Sequence, residues 1–373
     1  MRIEIPACVC VLGCLCLAEE PPEPLSTPAI TGPLKAAPPH SIGGEIVRGL
    51  AVNGVLTGIG LAQGNHVAGD ETSRGALSNG QVFLQKTEGW WQFYVQAGAY
   101  EIPILGTPFM STEDTVENLY GPVPVAYLKF APAKNSSVLI GALPTLMGAE
   151  STFTFQNMNI ERGLLWNQEN AVNRGVQVNQ AVGKVTASLS WNDGYYSNRY
   201  SWLSGSLTYA SGPHSLSFQG MGNLSETAFQ TVATPIQNDG VMYAVIYTYS
   251  DKGWIVQPYF QYSNLPASGK ADIVRTTSTT GGAVLVSRTL KRGFSLAGRF
   301  EYLTTGGSAN VLYGAGSAAW SATATPTYQR GPFFARAEFS VVHGVDAVPG
   351  YEFGTAGTHG TRPRGVVELG LLF

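Results

Sequence analysis

From about residue 45 onward the chain alternates in two ways at once. Within segments of eight to twelve residues, apolar side chains alternate with small polar ones, the period of a strand with one face in an apolar medium. Between segments, short connections such as "KTEG", "VGK", "SDKG" and "KRG" alternate strictly with long ones, at roughly residues 62–79, 100–122, 143–172, 192–200, 224–239, 264–279, 305–315 and 344–362. Sixteen segments are read, from Leu50–Leu61 and Gly80–Thr87 to Pro332–His343 and Arg364–Phe373. In an up-and-down arrangement of an even number of strands, every short connection lies on one rim and every long one on the other. A two-sheet sandwich gives no reason for that sorting. The pattern predicts an all-β fold: a transmembrane antiparallel β-barrel of about 16 strands, with short periplasmic turns and long extracellular loops. Ten residues at about 3.3 Å each, tilted by about 40°, span roughly 25 Å, the height of the apolar band of such barrels.

Individual segments carry the same division. "FSLAGRFEYL" sets Phe294, Leu296, Phe300 and Tyr302 on one side and Ser295, Arg299 and Glu301 on the other, and "FFARAEFSV" separates Phe333, Phe339 and Val341 from Arg336, Glu338 and Ser340. A charge facing lipid at mid-depth costs about 2–4 kcal/mol, so the charged face must be the inner one. Charged residues are only 13% of the chain, against roughly 25% in soluble domains. Aromatics gather at segment ends, with Trp90, Trp91, Tyr249, Trp254, Tyr328 and Phe333 near short turns, and Trp166, Trp191, Tyr262 and Tyr302 toward long loops. They read as girdles against outer-membrane lipid. The net charge of −3 argues against nucleic acid as a partner.

Residues 1–18 read as a signal peptide, with Arg2 before the apolar run "IPACVCVLGCLCLA" and small residues for cleavage near Ala18. All four cysteines, Cys8, Cys10, Cys14 and Cys16, fall within it, leaving a mature chain without cysteine. "VLGC" also admits a lipoprotein reading with Cys14 as acceptor. Residues 19–44 are rich in proline and read as an extended periplasmic linker with no core, and 45–373 as the barrel. The last strand, "VVELGLLF", puts Val367, Leu369, Leu371 and Phe373 toward lipid and Glu368 toward the lumen. A strand that closes a barrel is fully paired and needs no polar tail. The terminal Phe373 resembles the assembly signal that the barrel-assembly machinery reads.

Motifs of catalysis are missing from the text: there is no G-x-S-x-G elbow, H-E-x-x-H helix or P-loop, and Gly58, Gly60 and Gly64 precede no helix. The histidines (His40, His66, His214, His343, His359) are scattered, and Ser340 and His343 have opposite strand parity. The acids Glu113, Asp114 and Glu117 read as a solvated loop cluster. No cofactor, metal or catalytic residue is expected.

The functional candidates are interior charges. Arg299, Glu301, Arg336, Glu338 and Glu368 lie on neighbouring segments and, with Lys129, are read as pore-lining groups that either shape the field crossed by solutes or pair into a network that stiffens the wall. The third long connection is too long for a mere link. Its apolar content (Leu143, Leu146, Met147, Phe153, Phe155, Leu164, Leu165) must pack somewhere, and the nearest surface is the lumen wall. Folded inward, its acids Glu150, Glu161 and Glu169 would face Lys129, Arg299 and Arg336 and give a slight cation preference.

That connection and its flanks read "IGALPTLMGAESTFTFQNMNIERGLLWNQENAVNRGVQVN", Ile140 to Asn179. "LPTLMGAE", "FTFQNMN", "RGLLW" and "RGVQVN" resemble the OmpL-like β-barrel porins of bacterial outer membranes, closely over about forty residues and by architecture elsewhere. The resemblance implies a passive diffusion channel for small hydrophilic solutes and ions, in the bacterial outer membrane. A homotrimer is compatible with it. The alternative is a structural or adhesive barrel plugged by its loops, without an open pore; a barrel lipid hydrolase ranks below both.

Overall fold

The computed structural model describes residues 30–43, 48–226 and 230–373. Sixteen antiparallel strands succeed one another around a ring. They are β1 (Leu50–Gln63), β2 (Ser73–Lys86), β3 (Trp91–Tyr100), β4 (Val125–Ala133), β5 (Ser136–Pro144), β6 (Val172–Val182), β7 (Val185–Asn192) and β8 (Trp202–Ser211). The second half comprises β9 (His214–Asn223), β10 (Val241–Asp251), β11 (Trp254–Leu265), β12 (Thr277–Thr289), β13 (Phe294–Gly306), β14 (Ala318–Arg330), β15 (Phe333–Val345) and β16 (Thr361–Leu372). β16 pairs with β1, Arg364 opposite Gln63 and Leu372 opposite Val55, so the barrel closes and no sheet edge is left open. Phe373 extends that ladder, exchanging backbone hydrogen bonds with Gly54 at 2.6 and 3.0 Å. Its ring lies where a Cβ on Gly54 would come within 2.9 Å, so the glycine makes room for the terminal aromatic.

The alternation of connections is as expected. Residues 87–90, 134–135, 183–184, 212–213, 252–253, 290–293 and 331–332 bound one rim; 64–72, 101–124, 145–171, 193–201, 224–240, 266–276, 307–317 and 346–360 bound the other. The outer surface carries an apolar belt: Leu56, Val178, Leu207, Phe260, Phe300 and Phe339 are each about half exposed or more. Trp90, Trp254 and Phe333 sit exposed near the short connections, with Trp191 and Tyr302 toward the long ones. Trp166, read as a girdle residue, is instead buried inside the barrel, because its connection turns inward.

Three further differences from the sequence reading are local. β2 begins at Ser73 rather than Gly80, so the first long connection shrinks to 64–72 and Asn79 becomes a buried wall residue. A register shift between Thr57 and Gly58 breaks the alternation there, which hides the strand from a period-2 search. The second long connection contains a helix, α1 (Thr112–Asn118), capped by Ser111, whose Oγ accepts the Asp114 N–H at 3.0 Å. Glu113 and Asp114 therefore occupy its first turn, where the helix dipole favours acids.

The signal peptide over 1–18 with its cysteines, Cys14 included, and linker residues 19–29 lie outside the described residues. Residues 30–36 overturn the coreless-linker reading. Leu34 is only 3% exposed and belongs to the buried apolar cluster that also holds Val55, Phe83, Phe334 and Leu372. An extended, proline-bearing chain satisfies few of its own backbone groups, and here the barrel satisfies them. Thr31 N and Gly32 N donate to Gln156 O at 2.8 and 3.0 Å, while Lys35 N and O bond the Gln329 side chain at 2.9 and 2.8 Å. Gly32 lies so near Asn157 that a Cβ would meet its carbonyl oxygen at 2.1 Å.

Candidate functional site

The third long connection, residues 145–171 (L3), leaves β5 and returns to β6 by way of the lumen. Its ends are tied by the Thr145 N–H bond to Ala171 O at 3.1 Å. Its middle lies on the wall formed by β13–β16. There the wall glutamates grip the loop backbone. Glu338 accepts the N–H groups of Ile160 and Glu161 at 2.5 and 3.1 Å, and Glu301 those of Leu164 and Leu165 at 3.0 and 3.3 Å. Gly163 approaches so closely that a Cβ would stand 2.1 Å from Glu301 Oε1.

Arginines complete the attachment. Arg299 pairs with Glu150 at 2.5 Å and with Glu301 at 3.2 Å, and donates to Glu161 O at 2.8 Å. Arg336, opposite Glu368 in the β15–β16 register, pairs with it at 2.5 Å and donates to the carbonyls of Thr154 and Asn157 at 2.9 and 3.1 Å. Glu161 pairs with Arg364, and Asp70 with Arg362 at 2.6 Å. A charge this deep is tolerable only with an opposite charge and satisfied hydrogen bonds.

The apolar side chains of L3 fill the remaining space. Phe153 and Phe155 stack at 6.2 Å, Phe155 meets Phe83 at 5.8 Å, and Phe153 meets Tyr100 edge-on at 5.3 Å. Met147, Leu164 and Leu165 join the apolar cluster that lines β10–β15. L3 also touches the opposite wall. Gly148 N donates to Gln219 Oε1 at 2.8 Å, and Glu169 accepts from Tyr259 Oη and, at 2.8 Å, from Gln261 Nε2. Gly148 has φ +85° and stands where a Cβ would come within 1.7 Å of Glu169 Oε2. Tyr195 Oη donates to Gln168 O at 2.6 Å.

The sequence candidates thus separate into two groups. Arg299, Glu301, Arg336, Glu338 and Glu368 do point inward, but L3 covers them and each is buried. Glu150 pairs with Arg299, and Glu161 with Arg364 rather than with Arg336. Both of these loop acids are thereby held in ion pairs with wall arginines. Glu169 bonds the Tyr259 and Gln261 side chains instead of a basic group, and Lys129 lies on β4 opposite Gln92, near the short-connection rim. Arg362 and Arg364, missed as site residues, share the inward parity of Glu368 in "RPRGVVE"; Arg364 opens the last segment as read, and the strand's true start at Thr361 adds Arg362. Ser340 bonds Glu161 and His343 bonds Thr361, at 3.3 and 2.8 Å, so they form no serine–histidine pair. Among the described residues no group of three or more His, Cys, Asp or Glu is placed to hold a metal ion.

Cavities remain on both sides of L3, among them one of about 440 Å³ bounded by Leu105, Leu164, Asn167, Tyr313 and Phe353. Another, of about 720 Å³, opens toward the long connections, between α1, Trp166, Glu169, Tyr195 and residues 310–312. A third, of about 400 Å³, lies between L3, Thr31, Tyr94, Tyr127 and the inward side chains of β8–β11. Outside the strands, Glu101 at the foot of the second long connection is buried, which raises its carboxyl to about 7; Thr112 Oγ1 donates to it at 2.8 Å.

A family model described as "Putative beta-barrel porin-2, OmpL-like" matches residues 49–373. By sequence, no curated protein matches the chain. Solved structures with a similar fold include the anion-selective porin from Comamonas acidovorans (TM-score 0.60, 12% identity, covering 86% of this chain and 98% of that one). The outer membrane channel DcaP of Acinetobacter baumannii is similar as well (TM-score 0.60, 12% identity, 89% and 99% covered). So is in-vitro folded OmpT of Vibrio cholerae in its trimer form (TM-score 0.55, 8% identity, 86% and 98% covered). At these identities the likeness is one of fold.

Proposed function

The chain belongs to the OmpL-like family of β-barrel porins, and from that premise we propose that it is a passive diffusion channel of the outer membrane, constricted by L3. The observation that carries this reading is a closed sixteen-strand barrel with an apolar outer belt and a lumen crossed by one internal loop. Sixteen strands alone enclose an aqueous bore; L3 divides it into smaller cavities. The channel performs no catalysis and takes no cofactor. The short connections face the periplasm, the signal peptide over 1–18 directs export, and the barrel-assembly machinery reads the strand ending in Phe373. The trimer form of the Vibrio cholerae structure supports a homotrimer here.

The test is planar-bilayer recording of refolded protein, wild type and with residues 148–166 replaced by a short Gly-Ser bridge. An inward L3 predicts a rise in conductance and passage of larger solutes in a barrel that still folds. Equal conductance removes L3 as the constriction. Silence of both proteins sinks the channel itself.

A further inference from the structure

Resting on that channel reading, we propose that the favoured solute is neutral and hydroxyl-rich, of the class of small sugars and polyols, and that it binds in the cavity of about 400 Å³ between L3 and the inner wall of β8–β11. The lumen wall is divided by chemistry. All the inward charges of β13–β16 are engaged with L3 or the neighbouring connections, as described. From β6 to β12 the inward positions carry no Asp, Glu, Lys or Arg at all. They present Ser206, Thr208, Ser217, Gln219, Thr248 and Gln257 to the cavity instead. Across from them stand Tyr94 and Tyr127, with ring centroids 5.8 Å apart.

The one carboxylate lining this space, Glu150, has both oxygens engaged, by Arg299 at 2.5 Å and by Gly163 N at 2.8 Å. An ion entering here would lose hydration and meet no countercharge. A sugar can trade each bound water for a wall hydroxyl or carboxamide, and its apolar ring faces can rest on tyrosine. The wall also holds an acceptor without a donor. The side-chain oxygen of Gln257 accepts no hydrogen bond from the protein. Gln257 lines the cavity itself, and a solute hydroxyl can donate to its oxygen where a carboxylate cannot.

Proteoliposome swelling tests this with three probes of matched size: glucose, glucosamine and gluconate. The expected order has glucose entering faster than either ion. The double variant Thr248→Val with Gln257→Leu removes polar groups from the wall without touching L3. The loss of one or two neutral hydrogen bonds should lower the ratio of glucose to gluconate rates by about 3–10-fold. Wild-type rates for an ion that equal or exceed those for glucose overturn the solute class while leaving the channel in place. An unchanged ratio in a heat-modifiable, folded variant overturns the binding site. Failure of all three probes to enter overturns the channel reading on which this one rests.

Discussion

Leu34→Asp probes the attachment of the N-terminal segment inside the barrel. Leu34 is 3% exposed within the buried apolar cluster that also holds Val55, Phe83, Phe334 and Leu372. Burial of a leucine is worth about 1.5–3 kcal/mol, and a carboxylate in its place adds a desolvation cost of at least another ~1–3 kcal/mol. The sum, about 2.5–6 kcal/mol, reduces the ratio of docked to released segment by roughly 70-fold or more. Trypsin reports the outcome directly, because the Lys35 backbone N–H and carbonyl are both held by Gln329 in the docked state. When opening is faster than cleavage, the rate follows the released population, so cleavage after Lys35 should accelerate by a similar factor in the variant. Leu34→Met, which keeps volume and polarity, should cleave like wild type. Conductance should rise as well, since Thr31 lines the cavity on the short-connection side. Equal cleavage rates in wild type and Leu34→Asp, with the barrel folded in both, would refute the docking and the energetics drawn from it.

Glu338→Gln turns an amide N–H₂ toward one of the two loop N–H groups that the carboxyl accepts, and should weaken the hold on L3 by about 1–3 kcal/mol, seen as a lower midpoint of heat modification and noisier open-channel current. Leu369→Lys places a charge on the lipid face at a position that is 63% exposed, costing about 2–4 kcal/mol; folded, heat-modifiable protein at wild-type levels would contradict the outward assignment. Single cysteines at Val274, in a long connection, and at Arg292, in a short one, set the orientation: intact cells should label the first and spare the second. Glu101 has its carboxyl raised to about 7 by burial, so the unfolded chain ionises first. Stability therefore falls as pH climbs from the ordinary glutamate range toward 7 and levels off above it. Glu101→Gln should flatten that dependence and stabilise the protein at pH 8, as read by a thermal melt at several pH values.

Sequence alone determined the wall. Strand parity is a local, period-2 property, so "FSLAGRFEYL" places Arg299 and Glu301 inward and Phe300 outward whatever the rest of the chain does. The alternation of short and long connections likewise dictates an even, up-and-down barrel, and "VVELGLLF" announces the closing strand. It also showed that L3 carries too much apolar surface to stay in water. Tertiary structure decided what occupies the lumen. An inward polar side chain reads the same in sequence whether water, a loop or a distant segment covers it. Glu161 therefore gave no sign that its partner would be Arg364, nor Glu169 that it would meet Tyr259 and Gln261. These are contacts across a closed cross-section, set by how far the L3 backbone reaches once its N–H groups are held by Glu301 and Glu338. Residues 30–36 show the same limit more sharply. Set in a proline-rich stretch and without periodicity, they have no structure of their own to announce, and the buried cluster around Leu34, the Gln156 carbonyl and the amide of Gln329 give them a place.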